Sequence, residues 1–209
     1  MGRDAMVDNR TERRWDGTAQ FYDLLAFGAE RRWKPAKQHL FARMQPGKKI
    51  LFAALGTGLD IAFFPPNQEI IAIDISSRML ERAKPRVAVY PGQMEARQMD
   101  ICDLDFPDGQ FDQVFTSCTF CSVPDPMRGL ESLHRVLKPG GELWMFEHTG
   151  SKVWPFNWVL DMCNPICRHI GPEMNRDTVA NVRRAGFRIQ SVNNLFLDVV
   201  KTIGAVKSD

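Results

Sequence analysis

Hydrophobic and polar positions along this chain alternate between two periods. Short runs bounded by Gly, Pro, Asn and Asp ("KKILFAAL", "EIIAID", "ARQMDI", "FDQVFTS" and "ELWMFEH") predict five strands. Between them, "SSRMLERAK" opens on serines suited to an N-cap and is predicted to run as a helix until Pro85. "DPMRGLESLHRVL" places Met127, Leu130, Leu133 and Leu137 on one helical stripe, which "KPGG" stops. "NRDTVANVRRAG" reads as a further helix ending at Gly186, and "FRIQSVNNL" and "FLDVVKTIGAVK" as two closing strands. Strands alternating with helices predict an α/β fold, a mainly parallel sheet with helices on both faces.

The flanks differ from this rhythm. Residues 1–18 are polar and charged and are expected to be a mobile arm, leaving 19–209 as one domain. Within it, 19–45 reads as a helical lid. The dense apolar patch Phe21, Tyr22, Leu24, Leu25 and Phe27 is followed there by the basic "RRWKPAK". Segment 149–176, rich in Trp, Pro and Cys and without a clear period, reads as an insertion lid.

A length of 209 residues suits one substantial core, and 44% hydrophobic with 25% charged residues is a globular composition. A net charge of +2 gives no argument for nucleic acid, and no nucleic-acid partner is expected. No apolar run approaches the roughly 20 residues that cross a bilayer, and the charged start carries no signal-peptide core. The expected address is cytoplasmic, with the inner face of a membrane as a candidate docking surface. Cys118 and Cys121 form a CxxC, and Cys163 and Cys167 a CxxxC. Four thiolates could hold zinc. The first pair, however, lies in the apolar "VFTSCTFCSV" without turn glycines, so buried or substrate-facing free thiols are expected and no metal.

Three features fall at the carboxyl ends of consecutive strands, where α/β sheets hold cofactors. Gly56–Thr57–Gly58 forms a turn that lets backbone approach a ligand and open a helix. Asp74, 18 residues after Gly56, ends the second strand, where a carboxylate can accept both ribose hydroxyls. Asp100 with Ile101 ends the third, where a carboxylate can accept an adenine amino group beside an apolar wall. Each alone is a turn glycine or a capping aspartate; in series they point to adenosine.

With "ILFAALGTG", "IIAIDISSRMLERAK", "MDICDLDFPDGQFDQVFTS", "CSVPDP" and "LHRVLKPGGELWMFEH", the chain resembles the class I S-adenosylmethionine-dependent methyltransferases. The likeness is to the branch that modifies lipids, quinones and small thiols. It implies a Rossmann-like seven-stranded sheet whose last strand is antiparallel, and S-adenosyl-L-methionine as cofactor. By the same likeness Ala54, Gly56, Thr57 and Gly58 border its methionine part, while Asp74, with Ile75 and Met79 after it, holds the ribose. Asp100 and Ile101 hold the adenine, Cys118 lines the pocket, and Tyr22 closes over the cofactor. The usual motif carries an acidic residue and a glycine where this chain has Phe52 and Ala54. Ala54 adds only a methyl group, which is tolerated if the backbone angles there are ordinary.

Acceptor groups are expected beyond the fourth and fifth strands and in the lids: Thr119, Cys121, Trp154, Trp158 and Arg176. Glu147 and His148, at the tip of the fifth strand, are the catalytic candidates, as proton acceptor or cation attractor. The alternative is that Glu147 orders a loop and His148 is a half-buried structural histidine. Trp154, Phe156, Trp158, Val159 and Leu160 with Arg168, His169 and Arg176 suggest an amphipathic acceptor met at a membrane surface, or else plain packing. The expected activity is methyl transfer to a nitrogen of a small amphipathic or lipid-like acceptor, such as a phospholipid head-group amine. Transfer to a small thiol, or a catalytically silent cofactor-binding module, are the alternatives.

Overall fold

The computed structural model describes residues 9–151, 153–155, 157–158, 162, 173 and 175–208. Helices α1 (Asn9–Thr18) and α2 (Tyr22–Phe41) precede strand β1 (Lys49–Ala53), a 3-10 helix (Leu59–Phe63) and β2 (Glu69–Asp74). Then come α3 (Ser77–Ala88), β3 (Gln93–Gln98), β4 (Phe111–Ser117), α4 (Pro126–Val136) and β5 (Leu137–His148). Helix α5 (Thr178–Arg184), β6 (Phe187–Phe196) and β7 (Val200–Lys207) close the chain.

The seven strands lie in the order β3-β2-β1-β4-β5-β7-β6. β7, the last in sequence, runs antiparallel between β5 and β6, and the others are parallel. Strand order reverses between β1 and β4, so their carboxyl ends flank the switch point where open α/β sheets bind ligands. Alternation along β1 explains the two layers around it. Leu51 and Ala53 pack with Leu130 and Leu133 of α4 and Val182 of α5. Ile50 and Phe52 pack on the other face with Leu40 and Phe41 of α2 and Ala83 of α3. A strand buried on both faces reads as a continuous apolar run. The helices start on side-chain caps: Ser76 Oγ accepts from Met79 N at 3.1 Å, and Asp125 and Asp177 cap α4 and α5.

Four expectations need correction. Helix α3 runs through Pro85 to Ala88, because a proline near the end of a helix forfeits one N–H bond without stopping a turn held by its neighbours. Strand β3 spans 93–98 rather than 96–101, since Met94 and Ala96 pair alongside β2, leaving Asp100 and Ile101 in the turn beyond its tip. Strand β5 reaches back through "KPGG" to Leu137, which pairs with Phe111 ahead of an irregularity in register. Residues 9–18, expected within a mobile arm, form α1 and are tied to the sheet edge. Asp16 accepts from Ser76 Oγ at 2.5 Å and Arg78 N at 3.2 Å, and Glu12 from Gln98 Nε2 at 2.9 Å.

Candidate active site

The tips of β1 to β4 and the N-terminal helices border an open crevice of about 710 Å³, counting the part that is continuous with solvent. Ten predicted residues line it: Tyr22, Ala54, Gly56, Asp74, Ile75, Met79, Asp100, Ile101, Cys118 and Thr119. Following the strand order, Asp100 beyond β3, Asp74 on β2, the glycine turn after β1 and Cys118 after β4 lie side by side along the sheet.

Asp74 does two tasks. Its Oδ2 accepts from Gly56 N at 2.8 Å and its Oδ1 from Ser76 N at 2.9 Å, so it braces the turn while facing the crevice. Burial raises its carboxyl to about 6 against the pull of those two bonds, with the Asp16 charge adding to the rise. Asp100 accepts from Cys102 N at 2.8 Å, a local turn that leaves its carboxylate on the wall. The arrangement suits adenosine: two carboxylates for ribose and adenine, with Ile101 and Met99 as apolar walls.

The turn beyond Asp74 is left-handed at three places, Ala54 (φ 64), Gly56 (φ 58) and Gly58 (φ 81). Ala54 therefore lacks the ordinary angles under which its methyl group would be tolerated without cost. A left-handed alanine costs about 1–2 kcal/mol. Ala54→Gly should release that strain against about 0.4–1 kcal/mol of added unfolded-chain freedom, giving neutral to about 1.6 kcal/mol stabilising. A urea midpoint that falls instead would mean that the Ala54 methyl makes contacts worth more than the strain. A Cβ on Gly58 would stand 3.0 Å from Ile61 and 3.3 Å from Ala83, so this glycine serves close packing. Thr57 is buried, turned away from the crevice towards Asp23 and Arg86.

At the opposite end, Cys118 (φ 51) exposes its thiol to the crevice, and its N–H donates to Phe146 O at 2.7 Å. Cys121, expected in the acceptor pocket, is buried off the wall, its thiol 3.3 Å from Cys118 O. Tyr22 stands in the wall with its ring 6.2 Å from Trp15, and burial drives its hydroxyl far above the usual range.

The catalytic pair is a correction. Glu147 is 0% exposed and off the wall. Its Oε1 accepts from Thr116 Oγ1 at 2.8 Å and Thr119 N at 3.2 Å, and its Oε2 from Phe120 N at 3.0 Å. Burial raises this carboxyl to about 7, opposed by those three bonds. His148 is half-buried and also off the wall; burial and then the Lys201 charge hold it below its usual value. Glu147 orders the loop that carries Ser117, Cys118 and Thr119 into the crevice. Arg176, expected to touch acceptor, is spent likewise. It pairs with Glu173 at 2.9 Å and donates to Phe120 O at 2.8 Å and to Val123 O. Trp154 and Trp158 are exposed, at 80% and 59%, and are not on the crevice wall. Phe156, Val159, Leu160, Cys163, Cys167, Arg168 and His169 lie outside the described residues.

Thr11 and Trp15 of α1 line the crevice without having been predicted. Their spacing of four puts them on one face, but two residues in a polar arm are too narrow a stripe to read as an amphipathic helix.

Residues 51–145 match the family model for a methyltransferase domain. The chain is 34% identical over 145 residues to phosphatidylethanolamine N-methyltransferase of Cereibacter sphaeroides, covering 67% of each. It is 33% identical to a ubiquinone/menaquinone biosynthesis C-methyltransferase of Geotalea daltonii, covering 64% of this chain and 60% of that one. To a human thiol S-methyltransferase it is 30% identical, covering 63% and 57%. Among solved structures, a chain from the complex of the Haloferax volcanii Trm112 methyltransferase activator with a methyltransferase superposes with TM-score 0.71. That match is at 20% identity and covers 93% and 98%, and it bears on fold alone. With the crevice at the switch point of a seven-stranded sheet, these likenesses settle the family: the chain is a class I S-adenosylmethionine-dependent methyltransferase.

Proposed function

We propose that this enzyme methylates an amine nitrogen on an amphipathic, lipid-like acceptor met at a membrane surface. The observation that carries the reading is the two-sidedness of α2. Tyr22 stands in the crevice wall, while Phe21, Leu24, Leu25 and Phe27 around it are 62%, 77%, 72% and 67% exposed. Arg31, Arg32 and Lys34 follow, exposed, on the same helix. Apolar residues beside cations are the composition of a helix seated among anionic head groups. No helix among the described residues is long and apolar enough to cross a membrane.

Nitrogen is favoured over sulfur by the relative of which this chain covers two thirds, a phosphatidylethanolamine N-methyltransferase at 34% identity, against 30% over a smaller share for the thiol S-methyltransferase. The bound cofactor supplies a methyl group already activated by its sulfonium. Asp74 would hold the ribose, and Asp100 with Ile101 the adenine. Tyr22, Cys118 and Thr119 would shape the end where the acceptor nitrogen meets the methyl and would exclude water from it.

The test is methyl-labelled cofactor with anionic vesicles containing an amine head-group lipid, in parallel with a panel of small thiols. Label should enter the lipid amine. Faster transfer to thiols, or cofactor binding with no transfer to either, would overturn the proposal. Replacing Leu24 and Leu25 together by Glu should abolish co-flotation with the vesicles while leaving cofactor affinity intact. Unchanged flotation would remove α2 as the docking face.

A further inference from the structure

The glycine turn lacks the acidic residue usual two positions before Ala54, and Phe52 there faces away from it. Its ring packs 5.8 Å from Phe41 and 4.9 Å from Phe64. An acidic residue arrives from elsewhere. Asp23, in the first turn of α2, accepts from Thr57 Oγ1 at 2.5 Å on one oxygen and from Arg86 Nη2 at 2.8 Å on the other. Arg86, in the last turn of α3, also donates through Nη1 to Thr57 O at 2.7 Å. Thr57 is thus held at both hydroxyl and carbonyl. Its neighbours Gly56 and Gly58 have no side chains to hold their left-handed conformations.

The order of groups along the sheet gives this turn its place. Adenine and ribose would face Asp100 and Asp74, so the part of the cofactor beyond the ribose meets the turn after β1 next. We propose that Asp23 and Arg86 are positioning residues for the cofactor's amino-acid end, a clamp that sets the Gly56–Thr57–Gly58 turn from 34 and 29 residues away in sequence. Both side chains are partly exposed, 26% and 36%, so their pairing adds little to global stability. Its effect is local. Burial alone would raise the Asp23 carboxyl, but the Thr57 hydroxyl and the Arg86 guanidinium outweigh it and keep the group below its ordinary value, hence charged at neutral pH.

The clamp is tested by calorimetric titration with S-adenosylhomocysteine and, separately, with adenosine, which lacks the amino-acid end. Asp23→Asn should weaken S-adenosylhomocysteine about tenfold, the effect of losing a charge-assisted bond, and leave adenosine within about twofold. Arg86→Met should do the same, and the double variant should lose less than the sum of the two singles, because both break the Asp23–Arg86 pair they share. Preserved adenosine binding certifies that the variants are folded. Equal losses on both ligands would reduce the pair to scaffolding, and losses on neither, or additive losses in the double variant, would equally overturn the proposal.

Discussion

Glu147→Ala should destabilise the protein by about 3–5 kcal/mol. Three donors converge on the carboxylate, from Thr116, Thr119 and Phe120, and all are buried with it. Removing it strands these donors at about 1–3 kcal/mol each before any relaxation, and leaves a void where the side chain stood. Water entering that void would recover part of the loss, which is why the expected figure lies below the sum. Glu147→Gln keeps the volume and one acceptor oxygen and should cost about 1–2 kcal/mol, the mismatch of one amide NH₂ against a backbone N–H. Urea denaturation of the three proteins at pH 7 decides the matter. If Ala and Gln cost the same small amount, the carboxylate does not hold the loop after β4.

The parts of this protein legible in its sequence are those where chemistry and local pattern coincide. Strands β2 and β4 fall on the predicted residues, because their apolar runs are buried on both faces and bounded by turns. Asp74 and Asp100 were readable because they recur beside a glycine turn at or just past the ends of consecutive strands, where either alone would pass for a capping residue. What escaped was decided by contacts remote in sequence. Asp16 and Glu12 hold α1 on α3 and β3 from 60 and 86 residues away, so a polar arm became a wall of the crevice. Glu147 and His148 sit off the crevice wall because consecutive strand residues point to opposite faces of a sheet, and the face that takes Glu147 is buried beneath the loop after β4. Phe52 and Ala54 are legible in the sequence as departures, but strand periodicity does not reveal that α2 carries the acid that bears on the turn.

Lowering the pH from about 8 to about 5 should add stability through Asp74 and Glu147, a direction opposite to that of ordinary paired carboxylates. The sign follows from their values in the fold, about 6 and about 7, against ordinary values of 3.8 and 4.5. Between the ordinary and the raised value the folded state binds the proton and the unfolded state does not. Stability from each group is therefore complete below its ordinary value and lost as pH rises through the raised one. At about 1.4 kcal/mol per unit, each carboxyl contributes on the order of 3 kcal/mol across its window. His134 and His148, both held below their usual value first by burial, act in the other sense and lose stability as pH falls. The wild-type curve alone is thus a difference of opposing terms, and the substitutions isolate each. Glu147→Gln, relative to wild type, should gain steadily between about pH 5 and 7 with S-adenosylhomocysteine affinity changed far less than in Asp74→Asn, because Glu147 is off the crevice wall and acts on it only through the loop it orders. Asp74→Asn should show the same relative gain between about pH 4 and 6, but with cofactor affinity reduced roughly 30-fold or more, because the ribose loses its charged acceptor. If both variants track the wild-type curve at every pH, neither carboxyl is held protonated by burial. If both weaken the cofactor alike, Glu147 belongs to the crevice after all.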